Sequence, residues 1–508
     1  MPPLHRPERA LEVSLPARSA TLARECDVLV VGGGPAGLGA ALGAAEAGAR
    51  TVLTERYGFL GGWATAALVM PLASYHTSEL RPTRPGSSAL FPTDTGPGEP
   101  VIRGALEAFV GRLVDAGGAI PPSPRTGWVV PFDAEVFKLV ALEMCDEAGV
   151  EFLLHALATV VQPAPAGETG EPGRGPGRSS AGAWDVIFET KSGPLAVRAK
   201  SVVDCTGDGD VAAAAGASYE IGRTDDGLTQ PATLIFQLAG FDHASFTDYV
   251  AQNPGQWFGV YGLWDLIYDA FQAGEYKAPR EDILLFASVR DGEVTVNATR
   301  VPRVNGADAF DLTRAEIEGR RQMREVAAFL RAHVPGFEET WVVTSGAQVG
   351  IRETRRVVGE YRLTAEDVLG ARRFEDVVAR NAYPMDIHNP EGRGTVLRKL
   401  PPGQAYDIPL RSLIPLGIDG VLVAGRCISA THEALSSARV MPACMATGQA
   451  AGVCAALSAR AGAAPRSIDA GDVQAELLRQ GADLGERGGP HGVPGAAEAQ
   501  AGGTGRVS

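Results

Sequence analysis

The chain has few cysteines, and they are not clustered. Its 508 residues include six cysteines, and no two of them form a Cys-x-x-Cys pair. Without grouped thiolates, the sequence predicts neither a ferredoxin-like iron–sulfur site nor any metal site. A disulfide framework is not expected in a chain of this length, and free cysteine inside apolar runs behaves as a small hydrophobe. We therefore interpret all six as structural: Cys26, Cys145, Cys205, Cys427, Cys444 and Cys454.

Long apolar runs and positive charge are also scarce. No apolar stretch reaches the ~18 residues that span a bilayer, and residues 1–6 lack the apolar core of a signal peptide. The formal net charge is −14, with 46 Lys and Arg against 60 Asp and Glu. Since phosphate binding requires a basic surface, this charge argues against nucleic acid as a partner. The sequence predicts a cytoplasmic protein with no membrane or nucleic-acid partner.

Glycine is abundant, and three of the 63 glycines form the most informative pattern. Residues 26–31 are typical of a buried strand, and Gly32-x-Gly34-x-x-Gly37 follows directly before a helical pattern. Gly32 permits a tight turn, Gly34 lets backbone approach a pyrophosphate, and Gly37 lets the helix pack closely on the sheet. The helix N-terminus presents N–H groups to phosphates. This pattern predicts a dinucleotide-binding unit.

A carboxylate ends the second predicted strand, residues 51–55. Glu55 lies eighteen residues beyond Gly37, close to the spacing of about 20 at which an acid accepts hydrogen bonds from a ribose diol. An acid there also repels a 2′-phosphate, which disfavours NADP. The alternative interpretation is an ordinary strand–turn–helix connection.

The length predicts about three domain-sized units, and composition suggests their boundaries. Aromatic residues collect between 221 and 343, where no phosphate loop occurs, so we interpret this region as facing the substrate, although most of its rings are expected to fill its own core. The predicted division is a disordered arm at 1–24; an N-terminal cofactor part at 25–220 with loop insertions at 81–100 and 163–183; a substrate domain at 221–343; a return segment at 344–460; a docking helix at 461–484; and a disordered tail at 485–508.

Several elements are predicted from local patterns. Asp133 is expected to cap a helix over 134–147, which stops at Gly149 before a strand over 150–154. A hairpin is predicted between 152–161 and 184–189, and a buried strand over 420–425. Pro442 fits the first turn of a helix over 441–456, and helical periodicity occurs over 469–478.

Three further motifs distinguish FAD from NAD. They are Gly58-Phe-Leu-Gly-Gly62-Trp-Ala-Thr65, Val202-Val-Asp-Cys-Thr-Gly207-Asp-Gly-Asp210, and Ala424-Gly-Arg-Cys-Ile-Ser-Ala-Thr-His432 with the continuation from Ser436 to Gly452. In these motifs the chain resembles the FAD-dependent oxidoreductases of the glutathione-reductase superfamily, in the heterodisulfide reductase A-like branch. The resemblance extends over about residues 26–480.

The resemblance implies an α/β fold with a Rossmann-type, glutathione-reductase-like FAD-binding domain that is discontinuous in sequence, and an inserted α+β substrate domain. It implies FAD as cofactor, with the N-terminus of the 441–456 helix at the N1–C2=O edge of the flavin, where it would stabilise negative charge. The implied cofactor-binding residues are Gly32, Gly34, Pro35, Ala36, Gly37, Glu55, Arg56, Gly61, Gly62, Thr65, Val160, Thr206, Gly207, Asp208, Gly425, Arg426, Met441 and Ala443.

The chain departs from the family pattern in two respects. The flavin-binding component of heterodisulfide reductase, after which the branch is named, carries iron–sulfur cysteine clusters. The resemblance therefore suggests such a cluster, while the cysteine spacing here does not support one. The single nucleotide fingerprint also leaves no separate NAD(P)H domain.

Four residues are candidates for the chemistry. By resemblance His432 lies near the flavin, as a base, as an anion ligand, or as a residue that ties down its loop. His388, oriented by Asp386, is a second candidate base, since histidine titrates near neutral pH. Arg352 is a candidate clamp for a substrate carboxylate or part of a salt-bridged turn with Arg355 and Arg356. Arg439 would favour reduced, anionic flavin.

The leading interpretation is an FAD-dependent dehydrogenase or oxidase that transfers a hydride between a small organic substrate and the flavin. The electrons would pass to oxygen or to a carrier. The alternatives are reduction of a double bond by reduced flavin, and an electron-transfer flavoprotein subunit of a larger redox complex. Monooxygenation is less favoured, because the C-terminal motif is Ala-Gly-Arg-Cys rather than a Gly-Asp turn.

Overall fold

The computed structural model describes residue 4 and residues 12–78, 90–92, 97–165, 182–392 and 394–485. Part of the predicted arm and most of the two predicted insertions and of the predicted tail lie outside the described residues. The α-helices are α1 (Pro35–Glu46), α2 (Ala105–Asp115), α3 (Ala134–Glu147), α4 (Asp210–Ala214), α5 (His243–Gln252), α6 (Trp264–Gln272), α7 (Ala309–His333), α8 (Ala365–Leu369), α9 (His432–Ala438), α10 (Met441–Ala461) and α11 (Ala470–Arg479).

The strands are short apart from two long ones in the first sheet. They are β1 (Thr21–Val31), β2 (Thr51–Thr54), β3 (His76–Ser78), β4 (Pro97–Pro100), β5 (Glu151–Leu153), β6 (Leu157–Pro163), β7 (Trp184–Thr190), β8 (Gly193–Asp204), β9 (Tyr219–Ile221), β10 (Phe236–Ala239), β11 (Trp257–Phe258), β12 (Tyr261–Gly262), β13 (Ile283–Ala287), β14 (Glu293–Asn297), β15 (Trp341–Ser345), β16 (Arg355–Val357), β17 (Val377–Asn381), β18 (Met385–His388), β19 (Thr395–Arg398), β20 (Tyr406–Pro409) and β21 (Val421–Val423).

The first sheet is mainly parallel and is covered on both faces. Its parallel strands follow the order β5-β2-β1-β8-β21, and β7 and β6 extend it antiparallel from the first half of β8. Val28 and Val30 of β1 pack in the core that contains α1 and α10, whereas Leu29 and Val31 pack in a second core with β7. Because successive side chains of a strand point to opposite faces, a continuous apolar run is what a strand buried on both sides requires. The result is a mixed α/β fold with a parallel sheet of the Rossmann type.

Helices α1 and α10 pack against each other at backbone distance. A Cβ at Gly448 would lie 1.9 Å from the carbonyl oxygen of Ala36, and one at Gly39 would lie 2.1 Å from that of Met445. Glycine therefore sets the separation of the two helices, which brings their N-termini to the same edge of the sheet. The small-residue face of α10 thus packs on α1.

A second sheet is entirely antiparallel and has the order β11-β12-β13-β14-β10-β15. Phe236 and Trp257 are fully buried in its core, together with side chains of the long helix α7. Asp308 caps α7 by accepting hydrogen bonds from the N–H groups of Phe310 and Asp311. Strands β9 and β16, which pair antiparallel, precede and follow this region of the chain.

The structure corrects several predicted boundaries. Strand β1 begins at Thr21, inside the predicted arm, because the long strand β8 pairs with it there (Thr21 with Leu195). The predicted hairpin strand 152–161 is broken at His155, whose φ is 55°. Its first part, β5, pairs parallel with β2, and only the second part, β6, pairs with β7. Helix α10 continues five residues beyond the predicted Ala456, to Ala461, and the left-handed Gly462 follows it.

Two predicted helices occur where the sequence patterns place them. Helix α3 spans residues 134–147, and the Asp133 carboxylate accepts hydrogen bonds from the N–H groups of Glu135 and Val136. Helix α11 spans 470–479 and lies against β17, since the Gln474 side chain donates hydrogen bonds to the carbonyls of Glu375 and Val377.

Candidate functional site

A cleft opens at the carboxyl edge of the parallel sheet, with about 640 Å³ of space free of protein atoms. This is the edge at which ligands of open α/β sheets bind. The cleft is lined by Gly32, Gly34, Pro35, Ala36, Glu55, Arg56, Tyr57, Gly62, Trp63, Cys205, Thr206, Gly207, Gln348, Ala424, Gly425, Arg426, Arg439, Met441 and Cys444.

Two helix N-termini meet at this cleft. Helix α1 begins after Gly34 and α10 begins after Val440, and no side chain caps either helix. Pro35 and Met441, the first residues of the two helices, both line the cleft. The first N–H groups of a helix have no partner within the helix and carry the positive end of its dipole. The cleft therefore has two positions that favour a negatively charged group.

The glycines of the first motif let the turn between β1 and α1 pack closely against α1 and against the loop that contains Gly62. A Cβ on Gly37 would lie 1.8 Å from the carbonyl oxygen of Gly32, so α1 packs directly on the turn that precedes it. A Cβ on Gly62 would lie 2.9 Å from the Cα of Gly34, which brings the second glycine loop against the first. The two loops form one backbone surface at the bottom of the cleft.

Glu55 lies at the end of β2 with both carboxylate oxygens engaged. Its Oε2 accepts a hydrogen bond from the Gly33 N–H at 2.7 Å, and its Oε1 accepts one from the Tyr57 N–H at 3.0 Å. The carboxylate thus fixes the glycine turn while it lines the cleft. Each oxygen retains acceptor capacity for a hydroxyl, since a carboxylate offers about four lone-pair sites.

Arg426 provides a buried cation in the wall of the cleft. Its Nη2 donates to Asp208 Oδ1 at 2.9 Å, and its guanidinium carbon lies 4.8 Å from the ring centroid of Trp63. Its Nη1 is buried and has no hydrogen-bond partner among the described residues. An unpaired buried N–H group is costly, and an anion bound in the cleft would pair with it.

These observations fit FAD. The α1 N-terminus and Arg426 would hold the pyrophosphate, Glu55 would accept hydrogen bonds from the ribose, and the α10 N-terminus offers a second site for negative charge. The glycines at 32, 34 and 62 leave room for backbone to approach the cofactor.

Six predicted cofactor residues do not line the cleft. Gly37 packs on the turn, Gly61 (φ 111°) precedes the short helix Gly62–Ala64, and the Thr65 hydroxyl donates to the carbonyl of Leu60. Asp208 acts through Arg426, and Ala443 is buried within α10. The side chain of Val160 is 47% exposed on β6, because the strand pairs with β7 and turns this residue outward.

Sequence reasoning missed six residues of the lining: Tyr57, Trp63, Cys205, Gln348, Ala424 and Cys444. Five of them are sequence neighbours of predicted cofactor residues, and this adjacency could have identified them. The neighbours are Arg56, Gly62, Thr206, Gly425 and Ala443. The sixth, Gln348, adjoins none of the predicted cofactor residues. It comes from the segment after the second sheet, and its Oε1 accepts hydrogen bonds from Arg56 and Tyr57.

A cluster of polar side chains adjoins the cleft at Arg439, and we refer to Gln230, Arg352, Asp386, His388 and Arg439 as the arginine cluster. Arg439 Nη2 donates to Gln230 Oε1 and to the Asp386 carbonyl, each at 3.2 Å. Arg352 Nη1 donates to the carbonyl of Pro231 and to Thr233 Oγ1. The structure thus brings together three of the four predicted catalytic residues, which are far apart in the sequence.

Both ring nitrogens of His388 are occupied. Nε2 lies 3.2 Å from Asp386 Oδ2, and Nδ1 lies 3.1 Å from the hydroxyl of Thr395. The Thr395 oxygen also accepts a hydrogen bond from Arg300, which fits a hydroxyl that donates to Nδ1 and a neutral ring with its proton on Nε2. With neither nitrogen free to take a proton, the geometry favours a positioning role for His388 over the predicted base.

The His388 ring is neutral over a wide pH range. Burial lowers its pKa to about 3, the charge of Arg352 acts in the same direction, and Asp386 opposes both. The unfolded chain binds this proton below about pH 6.5 while the folded chain does not, so stability decreases as the pH falls from 6.5 towards 3.

His388→Gln is therefore expected to reduce the loss of stability between pH 7 and pH 5 by on the order of 1–2 kcal/mol. Urea unfolding of both proteins at the two pH values measures the difference. His243→Gln replaces an exposed histidine and serves as the control. An equal pH dependence in wild type and His388→Gln would contradict the prediction.

His432 does not line the cleft. It begins α9, and its Nδ1 lies 2.7 Å from Oε2 of the fully buried Glu353. Glu353 also pairs with Arg356, which donates to the carbonyls of Ala430 and Gly222. These contacts join the loop before α9 to the segment around β16. They favour the alternative in which His432 ties down its loop.

The predicted arginine run separates in three directions. Arg355 pairs with Asp210 at 2.7 Å, Arg356 pairs with Glu353, and Arg352 donates to Thr233 and lies within electrostatic range of Arg439 and Asp386. Arg355 and Arg356 thus fit the interpretation that the arginines of this run form salt bridges. That interpretation does not describe Arg352, which has no carboxylate oxygen within 4.0 Å among the described residues.

The aromatic residues of 221–343 do not line the cleft. Phe236 and Trp257 fill the core of the second sheet, and the rings of Phe258, Tyr261 and Trp264 pack on one another. Tyr57 and Trp63, from the first sheet's loops, are the rings at the cleft. Phe236 and Trp257 thus fill the core, as expected for most of these aromatics, whereas Tyr261, Tyr268 and Phe271 are exposed at 40%, 63% and 46%.

Neither a metal centre nor a single membrane span is found in the described part of the chain. No group of three or more His, Cys, Asp or Glu side chains there could hold a metal ion, and the six cysteines are buried and unpaired. No single helix in those ranges is long and apolar enough to cross a bilayer. The bent pair α9 and α10, at 92°, meets the length and composition test only when taken together.

Comparison with solved structures gives distant likenesses. The chain resembles p-nitrophenol 4-monooxygenase PnpA from Pseudomonas putida DLL-E4, at 11% identity over 90% of this chain and 85% of that one, with a TM-score of 0.42. It also resembles a geranylgeranyl bacteriochlorophyll reductase-like protein from Thermoplasma acidophilum, at 12% identity over 90% of this chain and 82% of that one, with a TM-score of 0.39. Likenesses this distant assign no reaction. No curated protein sequence matches the chain.

A family comparison gives the decisive result. The model of the family described as FAD dependent oxidoreductase matches residues 27–477. The match includes the glycine turn, Glu55, Arg426 and Arg439, and it extends over the first sheet, the second sheet and the return of the chain through β21. The chain belongs to the FAD-dependent oxidoreductase family.

Proposed function

We propose that this enzyme binds FAD in the cleft and transfers a hydride between a small organic substrate and the flavin. One observation carries the proposal: the arginine cluster adjoins the cofactor cleft through Arg439, which belongs to both. When bound, FAD supplies the hydride-accepting or hydride-donating chemistry, and the protein supplies binding, orientation and electrostatics. The electron acceptor in this proposal is oxygen or a carrier.

The roles of the protein groups follow from their positions. The α1 N-terminus, Glu55 and Arg426 bind the nucleotide part of the cofactor. Arg439 and the α10 N-terminus would favour negative charge on the bound flavin, since fixed dipoles and cations in a partly buried site need no reorganisation. His388 and Asp386 hold the cluster beside Arg439 in place.

The proposal includes a division of the chain. Residues 25–220 and 344–460 would form the FAD-binding part, and residues 221–343 would cover the substrate side. Support comes from β21, which returns to the first sheet beside β8, and from Gln230 and Arg352, which lie just before and just after the second sheet. We further propose that the chain lies in the heterodisulfide reductase A-like branch of the glutathione-reductase superfamily, on the motifs around Gly62, Gly207 and Arg426.

The test is the visible spectrum of the purified protein, followed by acid precipitation and an anaerobic substrate screen. We expect the two bands of oxidised flavin, release of FAD into the supernatant, and bleaching by a small molecule without any partner protein. Bleaching only in the presence of a partner would instead indicate an electron-transfer flavoprotein. A colourless protein that cannot be loaded with FAD would contradict the proposal.

Arg426→Met should lower the FAD content of the purified protein. The substitution removes the cation and its unpaired Nη1 from the cleft while it keeps an apolar stem against Trp63. Loss of a charge-assisted contact to a phosphate is expected to weaken FAD binding by about tenfold or more. Arg112→Gln, at an exposed helix position paired with Glu147, is the matched control. Equal FAD content in both variants would argue against the predicted role of Arg426.

A further inference from the structure

The arginine cluster has more positive charge than its own carboxylate can balance. Arg352 and Arg439 are 8% and 6% exposed. Among the described residues, Asp386 supplies the nearest carboxylate to Arg439, at 4.0 Å from its Nη2, and no carboxylate oxygen lies within 4.0 Å of Arg352. The same Asp386 also contacts His388. A buried charge without a close partner is strongly unfavourable, so the cluster lacks an anion.

Two more arginines increase this excess. Arg280 and Arg300 act on Arg352 electrostatically. Asp282 lies 3.1 Å from Arg280, whereas no carboxylate oxygen of the described residues lies within 4.0 Å of Arg300. Arg300 donates instead to the carbonyls of Gly392 and Gly394. Burial lowers the pKa of both Arg352 and Arg439, and the proximity of Arg439 lowers that of Arg352 further. The nearby carboxylate of Glu353 is already paired with Arg356.

Unpaired donors in the cluster point to a ligand with acceptor atoms. Gln230 is 1% exposed, and its Oε1 accepts hydrogen bonds from Arg439 and from the backbone N–H of His388, which leaves Nε2 as a free donor. Neither Gln230 Nε2 nor Arg439 Nε has a hydrogen-bond partner within the described ranges. Buried donors without partners are rare in folded proteins, so these two N–H groups indicate a ligand that accepts from them.

The cluster meets the cleft at Arg439. Asp386 keeps 22% of its side-chain exposure although Arg352, Arg439 and His388 around it are buried. Arg439 lines the cofactor cleft and also donates to Gln230 and to the Asp386 carbonyl. A small molecule bound beside Arg439 would therefore lie next to the cofactor.

We propose that the substrate of this enzyme carries a carboxylate group, which binds to Arg352 and Arg439 with Gln230 Nε2 as an additional donor. The inference rests on the proposed function and adds the substrate class to it. A carboxylate accepts paired N–H groups from a guanidinium and supplies the missing negative charge. A neutral substrate could accept from the free donors but would leave the cluster positively charged. Arg352 would thereby set specificity, while Arg439 serves both substrate and cofactor.

The test uses carboxylates and their neutral amides as matched probes on the full-length, FAD-loaded protein. The probes are acetate, succinate and benzoate against acetamide, succinamide and benzamide, with ionic strength kept constant by sodium chloride. Binding is measured from the change in flavin absorption and from the shift in thermal midpoint. We expect at least one carboxylate to bind in preference to its amide, and Arg352→Gln to weaken that binding by about 30-fold or more.

The variants make the result interpretable. Arg112→Gln, which changes an exposed arginine outside the cluster, should bind the carboxylate as wild type does. If Arg352→Gln does not fold, Arg439→Gln tests the same site and should lose the same preference. The proposal is overturned if no carboxylate binds better than its amide, or if the folded variant retains wild-type affinity.

Failure of this proposal can be told apart from failure of the proposed function. A protein that binds FAD and is bleached by a substrate, yet does not distinguish carboxylate from amide, would contradict only the carboxylate proposal. A protein that cannot bind FAD would contradict the proposed function, while the thermal shifts would still show whether carboxylates bind to the cluster.

Discussion

Replacing Gly448 by alanine should lower both the stability and the FAD content of the protein. The new Cβ would lie 1.9 Å from the Ala36 carbonyl oxygen and 2.7 Å from its carbon, and both atoms belong to backbone that cannot rotate away. Contacts shorter than 3.0 Å are not tolerated, so α10 has to move about 1 Å from α1. We expect a loss of about 3 kcal/mol, at the upper end of overpacking effects. FAD content should fall because the same movement separates the two helix N-termini at the cleft.

Urea unfolding and the flavin-to-protein absorbance ratio measure the two effects. Gly111→Ala is the matched control, since Gly111 lies in α2 with no atom near the added Cβ. Alanine there should stabilise the helix by about 0.5–1 kcal/mol and leave the FAD content unchanged. A Gly448→Ala protein with normal stability and a full complement of flavin would refute the role that we assign to this contact.

Glu353→Gln should destabilise the protein strongly without touching the cleft. The fully buried Glu353 carboxylate faces Arg356 on one side and His432 Nδ1 on the other, and it accepts a hydrogen bond from the Gln230 backbone N–H at 3.3 Å. The substitution keeps the shape but leaves the buried Arg356 guanidinium without its closest negative charge. Breaking a buried ion pair in this way costs about 3–5 kcal/mol.

Two comparisons separate this charge effect from a general loss of packing. Glu220→Gln removes the other carboxylate near Arg356. The Glu220 side chain is 43% exposed and lies 3.4 Å from Arg356, so this substitution should lower the free energy of unfolding by less than about 1 kcal/mol. Combining Glu353→Gln with Arg356→Met should recover part of the loss, because the unpaired charge is gone. If the double variant is less stable than the sum of the single effects predicts, the ion pair is not the cause.

Local patterns predicted the elements whose chemistry is contained in neighbouring residues. The glycine turn with its following helix, the Asp133 cap of α3 and the position of α11 each depend on contacts within a few residues. The strand over 152–161 was predicted less well. Its division at His155 arises because β2 pairs with the first part of the segment and β7 pairs with the second part. Residues 152–161 alone do not specify these two partners.

The candidate site shows the same contrast. Motif residues such as Glu55, Gly425 and Arg426 reach the cleft because each follows a strand of the first sheet, and parallel strands end at one edge. Gln230 and Gln348 do not follow a strand of the first sheet. Their positions depend on how the second sheet packs beside the first, so no spacing rule predicts them.

By itself the sequence determined the nucleotide turn, the cofactor class and the residue types for the chemistry, because these depend on short-range sterics and on the chemistry of single side chains. The tertiary structure was needed to show that Arg352 lies within electrostatic range of Arg439 while Arg355 and Arg356 pair with carboxylates elsewhere, and that both nitrogens of His388 are occupied. Those facts depend on segments from 230 to 439 meeting in space. Burial and charge balance depend on how these segments pack, and they support the carboxylate-binding role that we propose for Arg352, which the run of arginines alone left open.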